Sequence, residues 1–194
     1  MRCAVAIHDR IGRERLAGAV EPLAPDAALQ LLQAAVCQVA LAALGDRDAE
    51  VELTLCADAE MQRLNFDHMG ERAPTDVLSF PLHEWSVERG RSFLADDGVQ
   101  PPGPLMLGDV VIDVDQAVRQ SAEGDWSVVE ELVLLAIHGA LHLVGHDHAQ
   151  LDDEEAMRAA EHRVLTSLHR RHPEVAWRPE SLFDRAGHAV SSGS

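Results

Sequence analysis

The sequence contains no lysine, so its 16 basic residues are all arginines, and 33 acidic residues outnumber them. The resulting net charge of −17 argues against nucleic-acid binding through a broadly basic surface. A local site is still compatible with this charge, because a metal ion or a few basic groups can dominate the potential of one cleft. Arginine also suits two-point contacts with phosphate.

Cysteine is scarce too, and Cys3, Cys37 and Cys56 are dispersed along the chain. An odd number of cysteines without metal-ligand spacing predicts free, buried thiols in a reducing compartment. The apolar run at residues 3–7 is too short for a signal peptide, and no other run predicts a membrane span. We therefore expect a cytoplasmic protein that has no membrane partner.

The length of 194 residues, with 46% hydrophobic residues, is enough for one domain with its own core. Hydrophobic periodicity predicts an α+β domain over residues 1–170. Its predicted strands are 2–7, 51–55, 74–82 and 106–113, and its predicted helices are 26–44, 58–68, 114–123, 127 to a break at Gly145, and 152–170. Residues 83–104 are interpreted as a long loop. Residues 171–194 lack periodicity and are expected to form a mobile tail.

Residues 138–148 read H-G-A-L-H-L-V-G-H-D-H and concentrate four histidines. His138 and His142 are spaced i, i+4, which places them on one face of a helix, one turn apart. Two imidazoles at this spacing can bind one metal ion. If the helix continued to His146, its Cα would lie ~12 Å from that of His138, too far for both to be ligands at ~2.0–2.1 Å.

A third ligand therefore requires the chain to turn back, and Gly145 is where it can do so. His148, three residues after the glycine, can then return to the ion. His146 is the competing third ligand, because spacing alone does not decide between the two. Three protein ligands leave one position open, which indicates a reactive rather than a purely structural site.

The helix that carries these ligands has a clear start and little polar surface. Ser127 and Glu130 form the S-x-x-E pattern of a capping box. The apolar run at residues 132–137 predicts a helix buried at the centre of the fold. A buried, rigid helix can hold metal ligands in a fixed geometry.

Three segments in the same order resemble the YbeY endoribonucleases, a family of bacterial ribosomal-RNA maturation factors. Residues 138–148 resemble the family signature H-G-x-L-H-L-x-G-Y-D-H, and residues 107–112 (L-G-D-V-V-I) resemble its L-G-D-I-V-I strand. Residues 64–65 (L-N) and 74–81 (P-T-D-V-L-S-F-P) resemble a second signature. The resemblance covers roughly residues 50–170, and three matched segments are more specific than one motif.

The resemblance implies a fold, a cofactor and a function. The fold is a mixed sheet of about four strands packed with about five helices. The cofactor is one zinc ion per chain, on His138, His142 and His148. The function is endonucleolytic cleavage of ribosomal RNA in rRNA maturation and ribosome quality control, with ribosomal subunits as further partners.

The chain departs from the family pattern at two positions. His146 replaces the usual tyrosine, which keeps the third ligand open. Met69 replaces an arginine that usually precedes the glycine corresponding to Gly70 and that is associated with catalysis or RNA contact. Arg72 is a candidate substitute for it. The residues that we consider as substrate contacts are Arg72, Thr75, Asp76, Ser79 and Asp109.

No single residue stands out as the general acid or base, and the sequence leaves Asp76, Asp109 and Glu131 as candidates.

Two other functions are compatible with the histidine pattern. The spacing H-x-x-x-H-x-x-G-x-x-H also occurs in metzincin proteases, but these have a glutamate where this chain has Gly139. The remaining alternative is a non-catalytic, ribosome-associated module whose zinc only braces the fold.

Overall fold

The computed structural model describes residues 2–45, 47–72, 75–88, 91–94, 103–124, 126–146 and 151–173, together with residues 175 and 177. In chain order the elements are β1 (Cys3–Asp9), α1 (Arg13–Val20), α2 (Pro25–Leu44), β2 (Ala49–Cys56), α3 (Asp58–Met69), β3 (Val77–Pro81), β4 (Trp85–Glu88), β5 (Arg91–Leu94), β6 (Leu105–Asp113), α4 (Val114–Gly124), α5 (Val128–Leu143) and α6 (Leu151–Arg171).

The main sheet has four strands in the order β1-β2-β6-β3. The first three are parallel, and β3 pairs antiparallel with β6 at one edge. This confirms the predicted α+β fold with a mixed four-stranded sheet. Parallel neighbours need crossover connections, and helices α1 to α3 lie within those connections.

Three elements were absent from the sequence prediction. Strands β4 and β5 pair as a separate hairpin inside residues 83–104, so the interpretation of that whole segment as loop is wrong. Strand β4 (W-S-V-E) does alternate between apolar and polar residues, but four residues are the minimum for that signal, and β5 (R-S-F-L) does not alternate. Helix α1 is a sixth helix, and it buries only Leu16 and Val20, which is too sparse a stripe to recognise.

The two faces of the main sheet carry different helices. Val110 and Ile112 of β6 point into the main core, which they share with α2 and α5. Val111 of β6 and Leu78 of β3 point to the other face, where they pack with Met61 of α3. The sheet therefore separates the surroundings of α5 from those of α3.

Helix α2 has 20 residues and is long and apolar enough to cross a membrane by length and composition alone. The prediction that no such segment exists is therefore wrong. Buried core helices of globular domains meet the same criterion. Leu32 and Val36 are at most 2% exposed, and α2 packs against α5, β1 and α6. The apolar side of α2 thus faces the core of this domain.

Trp177, within the predicted tail, is 9% exposed and belongs to the main core. The rest of the tail beyond it lies outside the described residues. All three cysteines are free, as predicted, although only Cys56 is fully buried.

Asp113 closes strand β6 and caps the helix that follows. Its Oδ1 accepts hydrogen bonds from the backbone N–H groups of Asp115 at 2.9 Å and Gln116 at 3.2 Å. Asp113 is fully buried, and carboxylate oxygens of Asp58, Asp113 and Asp115 lie within 4.8 Å of one another. By spacing alone, this group could hold a cation.

Arginines already neutralise part of that charge. Arg119 donates two hydrogen bonds to Asp58, at 2.8 and 2.6 Å, and Arg15 forms an ion pair with Asp115. Arg119 holds the pKa of Asp58 below its usual range. We therefore interpret the three carboxylates as part of the α3–α4 junction and not as the metal centre.

Asp113 should make folding stability depend on pH. Burial, and then the hydrogen bond with Asp58, raises its pKa to about 7. An unfolded aspartate titrates near ~3.9. Between these values the native state keeps a proton that the unfolded state loses, so stability falls as the pH rises from about 4 to 7. Asp113→Asn retains an oxygen for the α4 cap and removes this titration, so we expect ~1–2 kcal/mol higher stability at pH 8.

Thermal unfolding of both proteins between pH 5 and 8 tests this prediction. Asp26→Asn, at a carboxylate that is 72% exposed, is the matched control and should leave the pH profile of stability unchanged. Parallel wild-type and Asp113→Asn profiles over this range would show that Asp113 does not keep its proton in the native state.

Candidate metal centre

Helix α5 begins at a complete capping box. The Ser127 side chain accepts from the Glu130 backbone N–H at 3.2 Å, and a Glu130 carboxylate oxygen accepts from the Ser127 backbone N–H at 2.8 Å. Residues 132–137 are at most 8% exposed, because α5 packs between the sheet and helices α2 and α6. The predicted buried helix is confirmed.

The helix ends at Leu143, and Gly145 has a φ of +87°, which confirms the predicted break. The backbone N–H groups of Gly145 and His146 donate to the carbonyls of His142 at 3.1 Å and Leu141 at 3.0 Å. A Cβ atom on Gly145 would lie 2.4 Å from the Cβ of Trp85, so a larger residue would also collide with β4.

The third ligand stays a prediction. His146 is 6% exposed, immediately after the turn. His148 lies outside the described residues. The choice between these two histidines therefore needs an experiment.

The side chains of His138 and His142 converge. Their Nε2 atoms are 3.2 Å apart, and their ring centroids are 4.8 Å apart in a T-shaped arrangement. Two nitrogens bound to one tetrahedral zinc at ~2.0–2.1 Å would be ~3.3–3.4 Å apart. The pair thus fits two positions of a zinc coordination sphere with almost no movement.

Glu161 of α6 orients the first of these histidines. His138 Nδ1 lies 2.8 Å from Glu161 Oε1, and Glu161 is 6% exposed. Because a carboxylate only accepts, His138 Nδ1 is the donor and the lone pair lies on Nε2, the atom that faces His142. Carboxylates commonly hold metal-binding histidines in this way.

Glu161 was missed in the sequence analysis, although the sequence contains a signal for it. It follows Met157 by four residues, which places a carboxylate on the apolar stripe of α6 that also contains Val164. A charged residue on a buried stripe needs a polar partner. His138 provides that partner.

Ser79 lies next to helix α5, which carries the two histidines. Its hydroxyl donates to the Gly139 carbonyl at 3.0 Å. A Cβ atom on Gly139 would lie 2.5 Å from Val110 Cγ1 and 3.1 Å from Val77 Cγ2. Helix α5 therefore contacts β3 and β6 closely, just after His138, and a glutamate side chain at position 139 has no space.

Three other predicted substrate contacts, Asp76, Thr75 and Asp109, make no hydrogen bond to helix α5 within the described part of the chain. Asp76 is half-buried, and its Oδ2 accepts from Gln120 Nε2 at 2.9 Å, while Thr75 Oγ1 is 3.5 Å from Asp76 Oδ1. Both precede β3, and Asp76 contacts α4 through Gln120. Asp109 is exposed and alternates with Val110, so it lies on the sheet face opposite α5. The structure does not bring Asp109 to the histidine pair.

Arg72 contacts α3. Its guanidinium carbon lies 5.5 Å from the Phe66 ring centroid, and its carbonyl accepts from Gln62 at 2.6 Å. Met69 is the last residue of α3 and is 57% exposed. Its exposed side chain leaves space for the arginine that the family usually has there.

Glu131, a candidate acid or base, is fully buried and accepts from Trp126 Nε1 at 2.7 Å. Its carboxylate is therefore held inside the fold and does not face solvent. This bond ties the segment before α5 to the first turn of the helix.

Residues 21–169 match the family model described as Endoribonuclease YbeY. A protein of that name from Moorella thermoacetica is 42% identical over 134 residues, which cover 69% of this chain and 82% of that protein. Another, from Mycobacterium tuberculosis, is 43% identical over 117 residues, which cover 60% of this chain and 63% of that protein. The solution structure of TM1509 from Thermotoga maritima is similar with a TM-score of 0.47 and 21% identity, covering 92% of this chain and 98% of that one.

Proposed function

The chain belongs to the YbeY endoribonuclease family, and from this we propose that it is a zinc-dependent endoribonuclease in rRNA maturation and ribosome quality control in the cytoplasm. One zinc per chain would be held by His138, His142 and His148. The observation that carries the proposal is the convergence of two Nε2 atoms, 3.2 Å apart, on a buried helix.

The metal, when bound, would polarise a phosphoryl oxygen and lower the pKa of a bound water. The chain supplies the rigidity that this chemistry needs. Glu161 fixes the orientation of the His138 ring, and the bond from Ser79 to Gly139 fixes α5 against the edge strand. Both histidines therefore depend on packed elements rather than on loops.

Two observations weigh against the alternative functions. A metzincin base after the first histidine has no space, because Gly139 packs against Val110. A purely structural zinc is usually enclosed by four protein ligands. Here the His138 side chain is 30% exposed, which suits a site that water and substrate reach.

Metal analysis and cleavage assays on one preparation test the proposal. We expect one zinc per chain, cleavage of single-stranded ribosomal RNA, loss of cleavage with chelator, and recovery when zinc is restored. Casein is the control substrate and should stay intact. Chelator-sensitive casein cleavage without RNA cleavage would support a protease, and bound zinc without either activity would support a structural brace.

We predict that Met69→Arg accelerates cleavage. A charge-assisted arginine–phosphate contact is typically worth ~1.5–3 kcal/mol, or roughly tenfold to hundredfold in rate. Met69 is exposed, so the substitution should not disturb packing. Single-turnover rates on one RNA measure the gain, with zinc content checked in each variant.

Two controls separate a specific contact from added charge. Met69→Gln adds donors without charge, and Val118→Arg adds the same charge at a 39% exposed position of α4. Neither should reproduce the gain. Equal acceleration by Val118→Arg would mean that Met69→Arg acts only through net charge.

A further inference from the structure

The outer surface of α3 carries a depression of about 310 Å³, which we call the α3 depression. It is lined by Ala59, Gln62, Arg63, Phe66 and Arg72. Met61, on the opposite side of the same helix, is fully buried against β3 and β6. The depression therefore lies beyond the sheet from α5 and is distinct from the histidine site.

Phe66 is the main apolar group of the depression, and it is 48% exposed. Phenylalanine at this exposure leaves ring surface that a planar group can cover. The Arg72 guanidinium lies 5.5 Å from its centroid. The guanidinium lies over this ring, and an exposed aromatic ring together with an arginine is the combination that stacks nucleic-acid bases and contacts their phosphates.

The charge of the depression differs from that of the whole chain. Among the residues that the structure describes, its lining contains two arginines and no acidic residue, whereas the chain has 33 acidic and 16 basic residues. Arg63 forms an i, i+4 pair with Asp67 at 3.2 Å, and both side chains are about half or more exposed. Exposed pairs of this kind are weak, so Arg63 can turn towards an anionic ligand at little cost.

We infer that the α3 depression binds one unpaired nucleotide of the RNA, with the base against Phe66 and the phosphate near Arg63 and Arg72. This inference rests on the proposed function, because it takes RNA as the substrate. The volume of the α3 depression is at the lower end of the range for small-ligand sites, which suits one nucleotide. The contact adds affinity away from the reacting bond and does not take part in chemistry.

The test is fluorescence anisotropy of a labelled single-stranded RNA decamer with the full chain. Phe66→Ala should weaken binding by about 5- to 150-fold, since one base–aromatic stack is lost. Phe66→Trp should retain wild-type affinity or exceed it. Val118→Ala, which shortens an exposed apolar side chain outside the depression, is the matched control and should change nothing. Melting temperatures show whether each variant is folded.

Salt dependence tests the phosphate contacts separately. Arg63→Ala and Arg72→Ala should each reduce the slope of log K against log salt by ~0.7. A duplex of the same sequence has no unpaired base to offer, so Phe66→Ala should not affect its binding. Loss of this single-strand selectivity would contradict a stacked base.

The outcomes for the inference and for the proposed function are distinguishable. If the wild type binds and cleaves RNA while Phe66→Ala binds the decamer equally well, the inference is wrong and the proposed function stands. If Phe66→Ala loses the same affinity for duplex RNA as for the single strand, the inference is also wrong. If the wild type neither binds nor cleaves RNA, both fail.

Discussion

Replacing His138 or His142 by alanine is expected to remove the bound zinc and to lower RNA cleavage by a factor on the order of 10³ or more. Each substitution removes one of two nitrogens that face each other at 3.2 Å, and neither ring has a neighbouring histidine on α5 to replace it. Elemental analysis and single-turnover cleavage on the same samples measure the two effects. His169→Ala, at an exposed histidine of α6, is the control and should retain zinc and activity.

The same series decides the third ligand. We expect His148→Ala to lose zinc and His146→Ala to keep it. Helix α5 ends at Leu143 and Gly145 has a φ of +87°, so both histidines come after the break in the helix. Full zinc in His148→Ala, together with loss in His146→Ala, would assign the third position to His146 instead.

The parts of the fold that the sequence predicted are those with strong local signals. Helix α5 has a capping box, an apolar run and a glycine stop, and each of these is a short-range feature. The long strands β2 and β6 were also predicted, because strands of eight and nine residues show their apolar pattern clearly. The convergence of His138 and His142 depends only on an i, i+4 spacing, and so it too could be predicted.

The parts that were missed depend on contacts between distant residues. Asp109 looks like an active-site acid in sequence, but strand alternation places it on the other sheet face from Val110 and α5. Arg72 is close to the family's arginine position in sequence, yet it contacts Phe66. The partner of His138 lies 23 residues away on another helix, a separation that no local pattern specifies.

Glu161, the partner of His138, is the most informative residue to substitute apart from the predicted zinc ligands themselves. In the structure its carboxylate accepts from His138 Nδ1 at 2.8 Å and is 6% exposed, so the interaction is largely shielded from solvent. We therefore assign Glu161 as a positioning residue for the metal centre. Removing such a partner typically costs 10–100-fold in metal affinity.

Glu161→Gln keeps the shape and an accepting oxygen but removes the negative charge, whereas Glu161→Ala removes both. We expect zinc affinity to fall by about tenfold in the first and towards a hundredfold in the second, as measured by competition with a chromogenic chelator. The absorption spectrum of bound cobalt should also shift in both, because the His138 ring is no longer held in one orientation. Glu154→Gln, on the same helix and paired with Arg158, is the matched control and should change neither quantity.

These readouts separate positioning from simple bracing of α6 against α5. A bracing residue would lower the melting temperature in both variants while the folded protein kept its zinc affinity and cobalt spectrum. A positioning residue changes affinity and spectrum even in Glu161→Gln, where the packing volume is conserved. Unchanged zinc affinity in a folded Glu161→Ala protein would therefore show that the His138 ring is oriented by packing alone.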